Sequence, residues 1–114
     1  MAKQRYTIVA HCWDRRGILL SSATNNYEKT HPIQKYFAEK VGQNERIFLH
    51  AEIAALLRAR DRRVYRIRVS RYGNDGELLL AKPCPVCYEA IKAYGVSVLE
   101  YSSEEGYIQE NVNE

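Results

Sequence analysis

The chain reads as one α/β domain of three layers built on a mixed sheet of about five strands, and three observations predict it. Segments of strand character alternate with amphipathic helical segments, which favours parallel crossovers in the later part of the sheet. The first two strands are joined by a tight turn and must run antiparallel. At 114 residues and 13.2 kDa there is length for a single hydrophobic core.

The elements follow in order. Tyr6 to Trp13 is rich in β-branched and aromatic residues, Asp14 to Gly17 offers a turn, and Ile18 to Thr24 resumes as the second arm of a hairpin. Asn25 to Pro32 is dense in turn formers. From Pro32 to Val41, Ile33, Tyr36, Phe37, Ala38 and Val41 recur at helical spacing, with Gly42 as the stop. A second helix is expected from near His50 to about Arg60, with Ile53, Leu56 and Leu57 as its apolar stripe.

Val64 to Tyr72 sets Tyr65, Ile67 and Val69 against Arg66, Arg68 and Ser70, a period of two that predicts a strand with one polar face. After turn residues at Gly73 to Gly76, Leu78 to Leu80 is a brief extended segment. Pro83 is read as the start of a third helix that ends at Gly95, and Val96 to Tyr101 as the next strand. Ser102 to Gly106 suffices only for a hairpin loop, so Tyr107 to Val112 should return antiparallel as an edge strand. The tail is expected to fray from about residue 108.

Composition excludes several classes. Apolar residues make up 46% and charged residues 27%, far from the corner where disorder lies. The longest apolar runs, such as Leu78 to Ala81, fall well short of the roughly 20 residues a bilayer span needs, and Met1 to Tyr6 has no apolar signal core. The expectation is a soluble cytoplasmic protein with no membrane partner. Three cysteines cannot all pair, and Cys84 and Cys87 are too close to staple distant segments. The net charge of +3 hides an uneven distribution: arginines crowd Arg58 to Arg71, whereas Glu100 to Glu114 carries acids and no base. The arginines are read as a solvated face or an oligomer contact, with phosphate binding as the competing reading.

The chemistry concentrates at two helix starts. His50 and Glu52 stand at one, Cys84 and Cys87 at the other. Cysteines three apart on a helix are turned by about 300°, so both sulfurs leave from one edge and can grip a single ion. Two thiolates and an imidazole suit zinc better than magnesium or calcium, and three protein ligands leave the fourth tetrahedral position for water. One zinc ion per chain is expected, with Glu52 moving protons for that water. A purely structural zinc site would need a fourth protein ligand. Cys12 is read as core and His31 as a turn residue.

The His-Ala-Glu run at 50 to 52 followed by Pro-Cys-Pro-Val-Cys at 83 to 87 resembles the zinc-dependent cytidine deaminase superfamily, with its H-x-E and P-C-x-x-C signature. The resemblance covers most of the chain, and the pairing of motifs is its specific part. It implies that His50, Cys84 and Cys87 hold the metal and that Glu52 is the catalytic acid and base. Three substrate contacts are also implied: Asn25, with Asn26 as the alternate, at the sugar; the Ala51 amide at the pyrimidine carbonyl oxygen; and the Lys82 carbonyl at the leaving amino group.

The activity so implied is hydrolytic deamination of a free cytosine nucleoside or nucleotide, with a base in RNA or single-stranded DNA as the alternative substrate. Two departures from the family are informative. Leu80 to Cys84 lacks the Ser-Trp-Ser-Pro-Cys run of the polynucleotide editors, and the short connection before Tyr107 matches the free-nucleoside branch. About five residues precede the first strand where the family has a helix, so one sheet face should be bare. A homo-oligomer is the expected consequence.

Overall fold

The computed structural model describes residues 7–26, 28–43, 49–60 and 62–113. Tyr6 and the chain end at Glu114 lie outside these described residues. The elements are β1 (Thr7–Trp13), β2 (Leu19–Thr24), α1 (Pro32–Lys40), α2 (Ala51–Ala59), β3 (Arg66–Tyr72), β4 (Leu78–Leu79), α3 (Pro85–Ala93), β5 (Val98–Ser103) and β6 (Gly106–Asn111).

The sheet runs β2-β1-β3-β5-β6, with β4 added to the end of β3. β1 pairs antiparallel with β2 and with β3. The single parallel ladder joins β3 to β5, because α3 carries the chain between them, and β6 returns antiparallel on β5. The mixed α/β sheet, its opening hairpin and its antiparallel close are therefore as expected.

Pleating divides the sheet into unlike faces. Ala10, Cys12, Ile67, Val69, Leu99 and Tyr101 point to one side and join a single core with Ile53, Leu56, Phe37, Val86 and Ile91 from all three helices. Four alanines of α2, Ala51, Ala54, Ala55 and Ala59, let that helix lie close to the sheet. At that approach Ser21 Oγ donates to the Ala55 carbonyl at 2.7 Å. Cys12 is fully buried, which pushes its thiol up to about 11. The other face carries His11, Trp13, Arg66, Arg68 and Glu100, and no described helix packs on it. Of three layers the described residues thus supply two, and the bare face is the one Arg66 and Arg68 mark.

Several boundaries differ from expectation, those of α3 and β5 among them. The third helix starts at Pro85, not Pro83, because a residue before proline is driven to extended backbone and Cys84 has φ −68° and ψ 166°. At its far end Gly95, with φ 76°, takes the left-handed position, and the amides of Gly95 and Val96 return to the Lys92 and Ile91 carbonyls. Val96 is thereby spent on the cap, so β5 begins at Val98. It continues to Ser103, because only Glu104 and Glu105 are needed for the turn.

Ser102 locks β4 beside β5. Its fully buried hydroxyl donates to the Leu79 carbonyl at 2.7 Å and accepts from the Arg71 amide at 3.0 Å, while its carbonyl accepts from the Ala81 amide at 2.9 Å. These bonds aim the chain at Cys84. Ser102→Ala strands two buried backbone groups, and chemical denaturation should show a loss of about 1–3 kcal/mol.

Candidate metal centre

Both metal-ligating segments are helix caps. His50 is the N-cap of α2, extended at φ −78° and ψ 154°, and its side chain makes no capping bond. Cys84 is the N-cap of α3, Pro85 fills the first helical position where an amide would be idle, and Cys87 stands one turn in. A helix start carries unpaired amides and partial positive charge, which favours thiolate over thiol. Two such starts face each other here.

The His50 imidazole turns Nδ1 toward the cysteines, 3.1 Å from Cys87 Sγ and 3.7 Å from Cys84 Sγ. All three donor atoms lie within 4.8 Å of one another. A tetrahedral ion with sulfur at about 2.3 Å and nitrogen at about 2.0–2.1 Å needs ligand separations of about 3.5–3.8 Å. The two separations from Nδ1, 3.1 and 3.7 Å, bracket the nitrogen-to-sulfur spacing of that cage. His50, Cys84 and Cys87 can hold one metal ion, and among the described residues no fourth histidine, cysteine or carboxylate joins the group.

The electrostatics separate the two thiols. A hydrogen bond from Cys87, opposed by partial burial and aided by His50, holds the Cys84 thiol down at about 3. Burial pushes Cys87 well up, and its bond to Cys84 and the nearby Glu52 carboxylate push the same way. Glu52 is 5% exposed on the first turn of α2. Burial raises its carboxyl above the usual range, while His50 and a hydrogen bond with Cys87 act against that rise. A carboxyl whose hold on its proton is raised in this way is suited to both taking and giving one.

The other residues singled out from the sequence are placed as follows. Ala51 is fully buried at the first position of α2. Asn25 is near the centre through its neighbour, since the Asn26 amide donates to the Leu49 carbonyl at 3.0 Å, next to His50. The Asn25 side-chain oxygen accepts from the Ile8 amide at 3.1 Å, so this oxygen pins the start of β1. Lys82 is exposed and lines a cleft of about 540 Å³ with Pro83, Pro85 and Tyr88, whose walls include none of His50, Glu52, Cys84 and Cys87. His31 caps α1 by accepting the Ile33 amide.

One contributor was not visible in the sequence. Gln34 on α1 is completely buried, and its Oε1 accepts from the His50 amide at 3.2 Å. A polar residue at an inward helical position was the available signal, but nothing in the spacing connects position 34 with position 50. No known protein-family model and no curated protein matches the chain.

Titration with cobalt(II), followed by thiolate-to-metal absorption, should saturate at about one equivalent per chain, and Cys87→Ala should abolish it. In metal-stripped protein, iodoacetamide should label Cys84 before Cys87 and Cys12, as read by peptide mass spectrometry. Added zinc should slow that labelling.

Proposed function

We propose that this protein is a zinc-dependent hydrolase that deaminates a free cytosine nucleoside or nucleotide to the uracil product and ammonia. The observation that carries the reading is the placement of a buried carboxyl, Glu52, against a group of one imidazole and two sulfurs. A structural ion has no use for that carboxyl, whose burial costs free energy. Zinc, when bound, supplies Lewis-acid activation of water at neutral pH.

The chain's own groups account for the rest of the chemistry. Glu52 accepts the proton that water loses and passes it to ring nitrogen 3, which prepares carbon 4 for addition. It then carries the second proton to the departing amino group, so that cytosine and water become uracil and ammonia. The Ala51 amide, in the first turn of α2 where no intrahelical acceptor exists, is the donor for the pyrimidine carbonyl oxygen. The Lys82 carbonyl receives the amino group and Asn25 is assigned to the sugar.

A small substrate is favoured over a polynucleotide by two features. The last strands form an antiparallel hairpin, with no helix inserted between them. The arginines of the cluster that follow α2 stand at the far end of that helix from His50, about 13 Å along its axis. They are not walls of the cleft beside Cys84.

Ammonia release should be measured with cytidine, deoxycytidine, their phosphates, guanine, adenosine and single-stranded oligonucleotides. Turnover is expected with a free cytosine compound, and ammonia from none of them would refute the reading. Glu52→Gln should lower turnover at least about 100-fold, or about 2.7 kcal/mol of barrier, with metal content unchanged. Full turnover in that variant would remove Glu52 from its role.

A further inference from the structure

The end of the sheet away from the metal centre has its own construction. Where α2 ends and β3 begins, Arg15, Arg16, Arg62, Arg63 and Tyr65 line a cleft of about 500 Å³, with Asp14 as the one acid in its wall among the described residues. Through Arg15, Arg16 and Tyr65 it runs into a second hollow of about 390 Å³, which reaches Trp13, Arg66 and Arg68 on the bare sheet face. Arg68 lies between two rings, its guanidinium 4.4 Å from the centre of Tyr107 and 5.8 Å from that of Trp13. His11 stacks on Trp13 at 5.8 Å.

The cations are not equivalent. Arg66 and Arg68 stand 3.9 and 3.4 Å from Glu100, which offsets their charge. Arg62 is committed to the Leu20 and Ala59 carbonyls. Arg15 lies over the Tyr65 ring at 5.4 Å. The Arg16 and Arg63 side chains have neither hydrogen bond nor ion pair among the described residues. Asp14 spends an oxygen on the Arg16 and Ile18 amides, so its main task is the turn.

Arg15, Arg16 and Arg63 are therefore charges available to a ligand. A merely solvated basic face would need no aromatic rings. Rings and guanidinium planes in alternation, beside free cations on a sheet face that no described helix covers, suit a flexible strand of phosphates and bases. A closed duplex offers no exposed base face to such rings.

We propose that this surface binds single-stranded nucleic acid, with phosphates at Arg15, Arg16 and Arg63 and bases stacked along Trp13, Arg68 and Tyr107. The surface is separate from the metal centre and does not depend on the activity proposed for it. Glu52→Gln protein should bind as the parent does.

The test uses the full chain and a fluorescein-labelled oligothymidine and oligouridine of about 20 nucleotides, long enough for more than one single-strand site. Anisotropy should show binding that weakens with salt, with a log–log slope near −2, or about −0.7 for each of three phosphates. Arg16→Ala with Arg63→Ala should flatten that slope by about 1.4. Trp13→Ala should weaken binding about 5- to 100-fold at an unchanged slope.

Trp13 is the only tryptophan, so its intrinsic fluorescence reports stacking without any substitution. Oligonucleotide should quench it and heparin should not. Absence of oligonucleotide binding overturns the proposal. So does equal binding of heparin with Trp13 unquenched, which would mean charge alone. A dimer in sedimentation that Trp13→Asp dissociates also overturns it, because a second copy of the chain would then own the face.

Discussion

For one ion to be held, the His50 imidazole must meet two sulfurs that lie 34 and 37 positions away in sequence, and neither helix that carries these donors can arrange this alone. The constraint is met at the backbone. Cys84 is forced extended by Pro85, Leu79 and Ala81 are tied to Ser102, and the His50 amide is held by buried Gln34. Each of these bonds is worth only about 1 kcal/mol, yet a shift of an ångström at either cap would separate the sulfurs from the imidazole. The surrounding fold serves as a clamp on two helix starts.

The same packing explains why Glu52 is buried. Its helix carries alanines at 51, 54, 55 and 59, which bring it so near the sheet that a hydroxyl of β2 reaches the helix backbone. A helix with larger side chains would stand further off and leave room for solvent beside the carboxyl. Close approach, desolvation and a raised carboxyl pKa are one effect seen at three scales. The His50 imidazole and Cys84 stay only half covered, whereas Cys87 is buried.

Polarity along the sheet is the second organising feature. α2 starts at the metal centre and delivers the chain to an arginine-rich turn at the opposite end. Charge of that kind beside a helix C-terminus also complements the helix dipole, but Arg58 in the last turn suffices for that purpose. The bare face follows from what the sequence puts on alternate positions. Arg66 and Arg68 flank the nearly buried Glu100, so the face that would otherwise be apolar is left to polar and aromatic groups.

Much of this was legible before any coordinates. Periodicity in residues 64–72, turn chemistry at 14–17 and a short loop before Tyr107 sufficed for strand identity and for both antiparallel ends, because these signals are local. The candidate donors His50, Cys84 and Cys87, with Glu52 beside them, were legible as residue types at helix starts. Their mutual distances, the Gln34 anchor, the Ser102 lock, the commitment of the Asn25 oxygen to β1 and the division of arginines into paired and unpaired were settled only in three dimensions. The physical reason is that backbone preference acts within a few residues, whereas hydrogen bonds and burial between distant segments depend on which sides of the sheet those segments come to share.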